Sequence, residues 1–412
     1  MQCSREFDIV VLGPTGYTGK FCSEHIVENL PTNLKWALAG RSLQKIEGVA
    51  QELKKLNPDR SEPEIVVVQL NKAELHTLAE RTKVLINCVG PYHLYSTPVV
   101  EACANTGTHY LDATGETPWV KQTIDQYHET AKSNGAIIIH CVGVESAPAD
   151  MLAWAVVKAV RETLSCHTRE ITGEIYELKS SGPSGGTLST VLTCIENFSK
   201  TELLNSTQPF SLAASQPPKD IPSESIMEKV LGVRAIRALG TVTSSPSAFC
   251  DITIVHRSST LMPEFYGPRF HFRQFLHVRN TFVGILLHYA FLIGTSLLLL
   301  APIRWLVKKV IYAPGSGPTL ESGRNDRLEY RAIATPDQNT SKRVLGKLTH
   351  EGSMYHYTGL LMAEAAMVIL ENEEKVKRVS RSGIVTSAVL GQEYLDRLDK
   401  VGCHVETKVL EN

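Results

Sequence analysis

The first 165 residues alternate between short apolar runs and segments with helical spacing. The six runs are FDIVVLG from Phe7, KWALAG from Lys35, EIVVVQL from Glu64, KVLINCVG from Lys83, YLDATG from Tyr110 and AIIIHCVG from Ala136. They are almost continuously apolar, as expected for parallel strands buried on both faces. The alternation therefore predicts an α/β fold with a Rossmann-like, doubly wound parallel sheet.

A glycine-rich turn lies between the first run and the helical segment that follows. Its sequence, Gly13-Pro-Thr-Gly16-Tyr-Thr-Gly19, has the spacing G-x-x-G-x-x-G. Glycines let the backbone approach a pyrophosphate, and a helix N-terminus adds N–H groups with partial positive charge. A purely structural turn is the alternative, but the position between strand and helix favours a dinucleotide site. The residues expected to contact the cofactor here are Gly13, Thr15, Gly16, Tyr17, Thr18 and Gly19.

The end of the second run predicts which dinucleotide is bound. NAD-binding sites usually have an acidic residue there, which accepts a hydrogen bond from the ribose 2′-hydroxyl. This chain instead has Arg41 followed by Ser42. A guanidinium and a neutral hydroxyl suit a 2′-phosphate, so we expect NADPH. The alternative for Arg41 is a solvated arginine at a helix start.

The fourth run ends in Cys-Val-Gly90-Pro91-Tyr92-His93. Ligands of doubly wound sheets lie beyond the carboxyl ends of the strands, so Gly90 and Pro91 are expected against the cofactor. Tyr92 is the first candidate for a catalytic proton donor. Glu116 is the second, and Asp112 and Glu145 also follow strand ends. A packing role for Tyr92 and helix capping by the acids are the structural alternatives.

Composition limits the other classes of function. The 42 Lys and Arg balance 43 Asp and Glu, which argues against a nucleic-acid partner. The nine cysteines are scattered and form no C-x-x-C pair, so we expect no structural zinc or other metal site and a reducing compartment. The N-terminus lacks a basic stretch followed by an apolar one, so we do not expect secretion.

One late segment, Asn280 to Ile303, contains no charged residue. As a helix, its 24 residues would extend roughly 36 Å, enough for a hydrocarbon core about 30 Å thick. Basic residues flank it at Arg269, Arg273, Arg279, Arg304, Lys308 and Lys309. We expect this segment to rest in a membrane or lipid-droplet surface as a monotopic element. A membrane-spanning helix and a buried core or dimer-interface helix are the alternatives.

Several motifs together resemble the saccharopine dehydrogenase-like oxidoreductases. In chain order they are GPTGYTG, AGRS, INCVGPY, GTHYLDATGE, SGGT from Ser184, YTGLLMAE from Tyr357 and GIVT from Gly383. The family includes lipid-droplet-associated animal proteins and mycobacterial trans-acting enoyl reductases. Its usual G-F-D-S-I-P pattern is replaced here by Gly143-Val-Glu-Ser-Ala-Pro148, so that Glu145 stands where relatives have the shorter acid.

The resemblance implies the domain organisation. Residues 1–165 would form an NADP-binding domain and residues 166–380 a substrate and dimerisation domain of the α+β class, which would carry the apolar segment and support a homodimer. Residues 381–412 would form a C-terminal helix that packs back on the first domain.

The resemblance also implies NADPH-dependent reduction of a C=C bond in a lipid-like, polyketide or carrier-bound substrate at the cytoplasmic face of a membrane or lipid droplet. The second domain shows no obvious basic cluster for a substrate with several carboxylates. Two alternatives remain: reduction of an imine, as in saccharopine formation, and a non-catalytic NADPH-binding scaffold at a membrane.

Overall fold

The computed structural model describes residues 5–221, 225–310, 316–380 and 382–411. Its strands are β1 (Phe7–Leu12), β2 (Trp36–Gly40), β3 (Glu64–Val67), β4 (Thr82–Asn87), β5 (His109–Asp112), β6 (Ile137–Ile139), β7 (Thr168–Lys179), β8 (Val233–Ile236), β9 (Gly240–Thr243), β10 (His271–His277), β11 (Arg327–Pro336), β12 (Arg343–Glu351), β13 (Gly383–Val385) and β14 (Cys403–Leu410).

The helices lie between these strands, and most of them are short. They are α1 (Tyr17–Asn29), α2 (Leu43–Leu56), α3 (Lys72–Glu80), α4 (Tyr92–Tyr95), α5 (Thr97–Thr106), α6 (Thr117–Ser133), α7 (Ala147–Leu164), α8 (Gly185–Asn197), α9 (Lys200–Ser206), α10 (Ile226–Leu231), α11 (Ala248–Leu261), α12 (Pro263–Tyr266), α13 (Thr281–Leu298), α14 (Ala301–Val310), α15 (Leu320–Gly323), α16 (Met354–Ser380) and α17 (Gly391–Lys400). A 3₁₀ helix spans Ser387–Leu390.

The first sheet is parallel, with the strand order β3-β2-β1-β4-β5-β6-β13. Its central strands are buried on both faces, which is why they read as continuous apolar runs. The strand order reverses between β1 and β4, the point at which doubly wound sheets bind ligands. The predicted Rossmann-like sheet is confirmed.

The second sheet has the order β14-β12-β11-β7-β10-β9-β8. Apart from the parallel pair of β7 and β10, neighbouring strands are antiparallel. On β11 and β12 buried and half-buried residues alternate regularly, because one face packs against α7 and the other is more open. This is the second α+β domain that the sequence predicted.

The domain boundaries differ from the predicted ones in two ways. Helix α7 lies within the predicted segment 1–165, yet it packs on β11 and β12 of the second sheet. Segment 381–412 is more than a helix, because it contributes β13 to the first sheet and β14 to the second. The chain therefore crosses between the domains several times. Residues 1–4, 222–224, 311–315, 381 and 412 of the predicted segments lie outside the described ranges.

Helix α16 is the main tie from the second domain back to the first, because it packs along α1. The buried His25 on α1 contacts Glu364 of α16 over 2.8 Å, and Arg397 of α17 approaches the same carboxylate at 2.6 Å. Gly359 allows this close approach, since a Cβ there would lie 2.6 Å from the backbone nitrogen of Cys22.

Gly359→Ala should therefore destabilise the protein. The neighbouring atoms belong to the backbone of α1, so relief requires the two helices to separate, and overpacking of this kind costs about 1–3 kcal/mol. Urea unfolding should show this loss of stability. Gly294→Ala on α13 is the control, because nothing lies within 4 Å of a Cβ there. Equal stability of the two variants would contradict this account of the contact.

The predicted apolar segment, Asn280 to Ile303, covers α13 and the first turn of α14, which follow one another across a bend at Leu299 and Leu300. We call α13 and α14 together the hairpin. Of the described residues, α13 alone forms a helix that is long and apolar enough to cross a membrane, and 11% of it is buried. Its buried positions, Gly284 and His288, face β8 and β9. Most of its apolar side chains are exposed, so the alternative of a buried core helix is not what the structure shows.

Candidate functional site

The glycine turn lies at the carboxyl edge of the first sheet, beside the loop after β4. Gly13 has a φ of +84°, and a Cβ there would lie 2.7 Å from Val89. A Cβ at Gly19 would collide with the carbonyl oxygen of Gly13. Gly16 begins α1, no side chain caps that helix, and its first turn has no acidic residue. The turn therefore fits a pyrophosphate, with Thr15 exposed and Thr18 half-buried beside it.

Arg41 and Ser42 lie at the end of β2, next to this turn. The amide of Gly13 donates to the carbonyl of Ala39 over 2.9 Å, which ties the two strand ends together. Arg41 is exposed and has no ion-pair partner among the described residues. Ser42 begins α2, but its hydroxyl does not cap the helix. Neither side chain is committed to a helix cap or an ion pair among the described residues, so their predicted contact with a phosphate on the ribose stays a prediction.

Gly90 and Pro91 occupy the switch point. Gly90 is exposed, and Pro91 begins the single turn of α4. Since the neighbouring Val89 contacts the position of Gly13, this loop and the glycine turn form two adjacent walls of one cleft. The structure thus brings the predicted cofactor residues together at one edge of the sheet.

Tyr92 points away from that cleft. Its hydroxyl donates to the carbonyl of Asn87 over 3.4 Å, and its ring stacks on Trp119 at 5.9 Å between centroids. Burial raises the pKa of the Tyr92 hydroxyl well above its ordinary value. The side chain is part of the packing between sheet and helices, which is the structural alternative, and this geometry does not support its predicted role as a proton donor.

Glu116 caps α4. Its two carboxylate oxygens accept the backbone N–H groups of Tyr92 and His93 at 2.7 Å each, and Nδ1 of His93 lies 2.6 Å from the same carboxylate. Its side chain has no exposed surface. Glu116 is thus buried and committed to the first turn of α4, so the structure favours a capping role over the predicted catalytic role.

The His93 side chain lies in a small polar cluster. Sγ of Cys194 on α8 is 3.7 Å from Nδ1 of His93. The ligand atoms of His93, Glu116 and Cys194 all lie within 4.8 Å of one another. A metal ion there would have to displace the backbone hydrogen bonds of Glu116, so the arrangement is better explained as helix capping.

Asp112 is likewise structural. It accepts hydrogen bonds from Tyr110 at 2.9 Å and from the backbone of Thr114 and Cys141 at 3.1 Å, and Nδ1 of His140 lies 2.7 Å away. This buried network connects the loops after β5 and β6. It holds the far wall of the cleft in place.

A segment of the second domain, residues 316–319, lies across the start of α1. The hydroxyl of Tyr17 donates to the carbonyl of Pro318, and the Tyr17 ring packs edge-on against Tyr355 at 4.8 Å. The amide of Gly185 donates to the carbonyl of Ser316 over 3.0 Å. The side chain of Tyr17 thus holds the two domains together, and only its backbone faces the predicted phosphate site.

Glu145 follows β6 at the far end of the cleft. Its side chain is exposed, although Gly143, Ser146 and Ala147 around it are buried. A Cβ at Gly115 would lie 2.6 Å from Oε2 of Glu145, so the carboxyl group covers the loop after β5. Protein atoms crowd the cleft enough that desolvation raises the pKa of Glu145. The sequence placed this acid at a strand end but did not rank it among the catalytic candidates.

Comparison with known proteins identifies the cofactor of the first domain. Residues 9–139 match the family described as the saccharopine dehydrogenase NADP binding domain. The N-terminal unit thus resembles the NADP-binding domain of saccharopine dehydrogenases. NADP is therefore its cofactor, and the protein is an NADP-dependent oxidoreductase, as predicted.

The similarity extends over nearly the whole chain. A trans-acting enoyl reductase of Mycobacterium ulcerans is 28% identical over 422 residues, which is 97% of each chain. The trans-acting enoyl reductase of Mycobacterium tuberculosis is 27% identical over the same share. Yeast saccharopine dehydrogenase, the L-Glu-forming enzyme of Saccharomyces cerevisiae, matches 98% of this chain and 99% of its own with a TM-score of 0.55 and 12% identity. That structural likeness confirms the fold.

We expect Arg41 to bind the 2′-phosphate of NADPH. Arg41→Ala should weaken NADPH binding about 10- to 100-fold, because charge-assisted hydrogen bonds contribute about 1.5–3 kcal/mol. NADH affinity should hardly change, since NADH has no 2′-phosphate. Fluorescence titration with both cofactors measures the ratio. Lys55→Ala, at the other end of α2, should leave the ratio unchanged. A retained preference for NADPH in the Arg41 variant would contradict the assignment.

Proposed function

We propose that this oxidoreductase reduces a C=C bond conjugated to a carbonyl in an apolar, carrier-bound or lipid-like substrate. The similarity of the whole chain to trans-acting enoyl reductases carries the proposal. When bound, NADPH supplies the hydride. The chain itself positions the acceptor against the carboxyl edge of the first sheet, excludes water and supplies one proton.

The charges in the cleft favour this substrate over one with several carboxylates. Desolvation alone raises the pKa of Glu145, and no described lysine, arginine or histidine acts on it. The neighbouring Asp251 is buried, and desolvation followed by the charge of Glu145 raises its pKa well above the ordinary value. Carboxylate substrates would need cationic partners here. Imine reduction of the saccharopine type is therefore the second candidate.

A substrate panel tests the proposal. NADPH oxidation is followed with α,β-unsaturated thioesters of increasing chain length and with cyclic imines. We expect turnover of the thioesters, faster with longer acyl chains. Exclusive turnover of imines would contradict the proposal and favour the second candidate. Tight NADPH binding without oxidation of any compound would favour the non-catalytic scaffold.

We also propose that the α13–α14 hairpin docks on a lipid surface at the cytoplasmic side. Phe282, Ile293 and Leu300 are 76%, 57% and 53% exposed. Monomeric proteins rarely leave so many neighbouring apolar side chains in water. A solvent-exposed apolar helix of this length is best accommodated by lipid acyl chains.

Both ends of the hairpin are held by the same domain, which supports monotopic insertion over spanning. Near the start of α13, Nδ1 of His288 lies 2.8 Å from the hydroxyl of Ser244. On α14, Lys308 pairs with Glu196 of α8 at 2.8 Å and Arg304 approaches the same carboxylate at 3.5 Å. A helix whose continuation returns to its own domain cannot place the two flanks on opposite sides of a bilayer.

The basic flanks are only partly available to lipid headgroups. Arg269 and Arg273 pair with Asp337 and Glu170 of the second domain. Lys309 lies 3.5 Å from the ring centroid of the exposed Trp305. A lysine over an interfacial tryptophan is suited to the headgroup region, so this end of α14 marks the depth to which the hairpin would insert.

A further inference from the structure

The loop after β6 places one carboxyl group at the edge of the sheet that carries the predicted cofactor site. Glu145 lies at the carboxyl end of a parallel strand, on the same edge of the sheet as the glycine turn and the loop at Gly90. It is open to the cleft, whereas Tyr92 and Glu116 are buried in packing and capping contacts. Of these three candidates, only Glu145 has an exposed side chain.

The carboxyl group of Glu145 is uncommitted. It has no hydrogen-bond or ion-pair partner among the residues that the structure describes, whereas both oxygens of Glu116 accept backbone N–H groups. It lies directly over Gly115, whose missing side chain leaves room for it. A side chain at position 115 would therefore displace the Glu145 carboxyl group from this place.

The surroundings raise the pKa of this carboxyl group above its ordinary value, because desolvation disfavours the charged form. The titratable groups that face it are Cys141 on its own loop, Cys250 and Asp251 on α11, and Tyr330 on β11. All are uncharged or acidic, so none stabilises a carboxylate. Oδ1 of Asp251 is fully buried and accepts no hydrogen bond from the described residues. Loss of the proton from Glu145 would add a negative charge to a desolvated acidic site.

We propose that Glu145 is the catalytic proton donor of the reduction, and this inference rests on the proposed function. The two electrons and the hydrogen of the hydride form a new C–H bond at the β-carbon, and the C=C π electrons move toward the carbonyl. The O–H bond of Glu145 breaks as its proton forms the new C–H bond at the α-carbon. Solvent water, which reaches the side chain, then returns a proton to the carboxylate.

Glu145→Gln is the central test, because glutamine keeps the shape but has no acidic proton. We expect kcat to fall about 10²- to 10⁴-fold, the usual contribution of general acid catalysis, with NADPH affinity and melting temperature unchanged. The wild-type kcat should fall as pH rises through the pKa of Glu145, since only the protonated form donates. The Gln variant should lack this limb of the pH profile, and Glu145→Asp should retain it at a lower rate.

Glu406→Gln, on the exposed edge strand β14, is the matched control and should resemble the wild type. Turnover of the fastest thioester at an unchanged rate in the Glu145→Gln variant would overturn the inference. So would a parallel loss of NADPH binding, because Glu145 would then be a cofactor contact.

A second measurement does not depend on turnover. Infrared difference spectra of the NADP-loaded protein should show a carboxyl group that titrates above the ordinary range of glutamic acid and is missing in the Glu145→Gln variant. If the spectra of the wild type and the Glu145→Gln variant show no such difference, the inference is wrong, even if thioesters are reduced. If the wild-type protein reduces none of the thioesters, the proposed function is contradicted instead.

Discussion

Gly19→Ala should nearly abolish NADPH binding. The new Cβ would collide with the carbonyl oxygen of Gly13, so the first turn of α1 would have to move away from the glycine turn. Loss of two charge-assisted hydrogen bonds to the pyrophosphate, at about 1.5–3 kcal/mol each, corresponds to about 10²-fold or more in affinity. Fluorescence titration measures the change in NADPH affinity. Thermal unfolding without cofactor shows whether the variant has also lost stability.

Gly48→Ala is the matched control for this substitution. Gly48 lies within α2, and nothing is within 4 Å of a Cβ there. Alanine in place of glycine inside a helix stabilises it by up to about 1 kcal/mol, so NADPH affinity should be unchanged and stability slightly increased. Wild-type NADPH affinity in the Gly19 variant would show that the turn does not approach the cofactor as described.

Replacing Leu286, Ile293 and Leu300 together with serine should abolish binding to lipid. Each of these side chains is at least half exposed, so the folded domain loses little packing. Burial of one such side chain in an apolar phase is worth about 1.5–3 kcal/mol. The three side chains together contribute more than about 4 kcal/mol of transfer free energy. Their loss should lower partitioning into lipid about 10³-fold or more. Co-flotation with vesicles of phosphatidylcholine and an anionic lipid, and with phospholipid-coated triolein droplets, measures it.

Serine at Leu56, Val67 and Leu204 is the control for this change. These residues are similarly exposed, at 46%, 50% and 66%, and lie outside the hairpin. The control should float as the wild type does. If the wild type stays with the soluble fraction, and sedimentation shows a dimer that the hairpin variant loses, the apolar face binds a second copy and the lipid proposal is wrong.

The first domain could be predicted because short, contiguous stretches of sequence show its strands and its glycine turn. Parallel strands buried on both faces produce apolar runs, and the glycine turn stands between a strand and a helix. The three residues of β13 carry no comparable periodicity, and their pairing with β6 joins residues far apart in the chain. Helix α7 follows directly on β6, and nothing in its sequence shows that it packs on the second sheet.

The catalytic candidates could be predicted only in part, because the sequence does not show where each side chain points. Strand ends located Tyr92, Glu116 and Glu145 equally well, because position along a strand determines which edge a residue is on. The direction of each side chain decides whether a substrate can reach it. The Tyr92 hydroxyl bonds the carbonyl of Asn87, and the backbone N–H groups of α4 donate to Glu116. Only Glu145 remains open. The single available signal was the change from the usual G-F-D-S-I-P pattern to Gly143-Val-Glu-Ser-Ala-Pro148.

Isotope transfer tests the central claim most directly. The wild-type protein is incubated with NADPH deuterated at C4 of the nicotinamide and with the best unsaturated thioester, and the product is examined by NMR. The account predicts one deuterium at the β-carbon and a solvent-derived hydrogen at the α-carbon. Deuterium at the carbonyl carbon, or transfer only to the carbon of an imine, would contradict it.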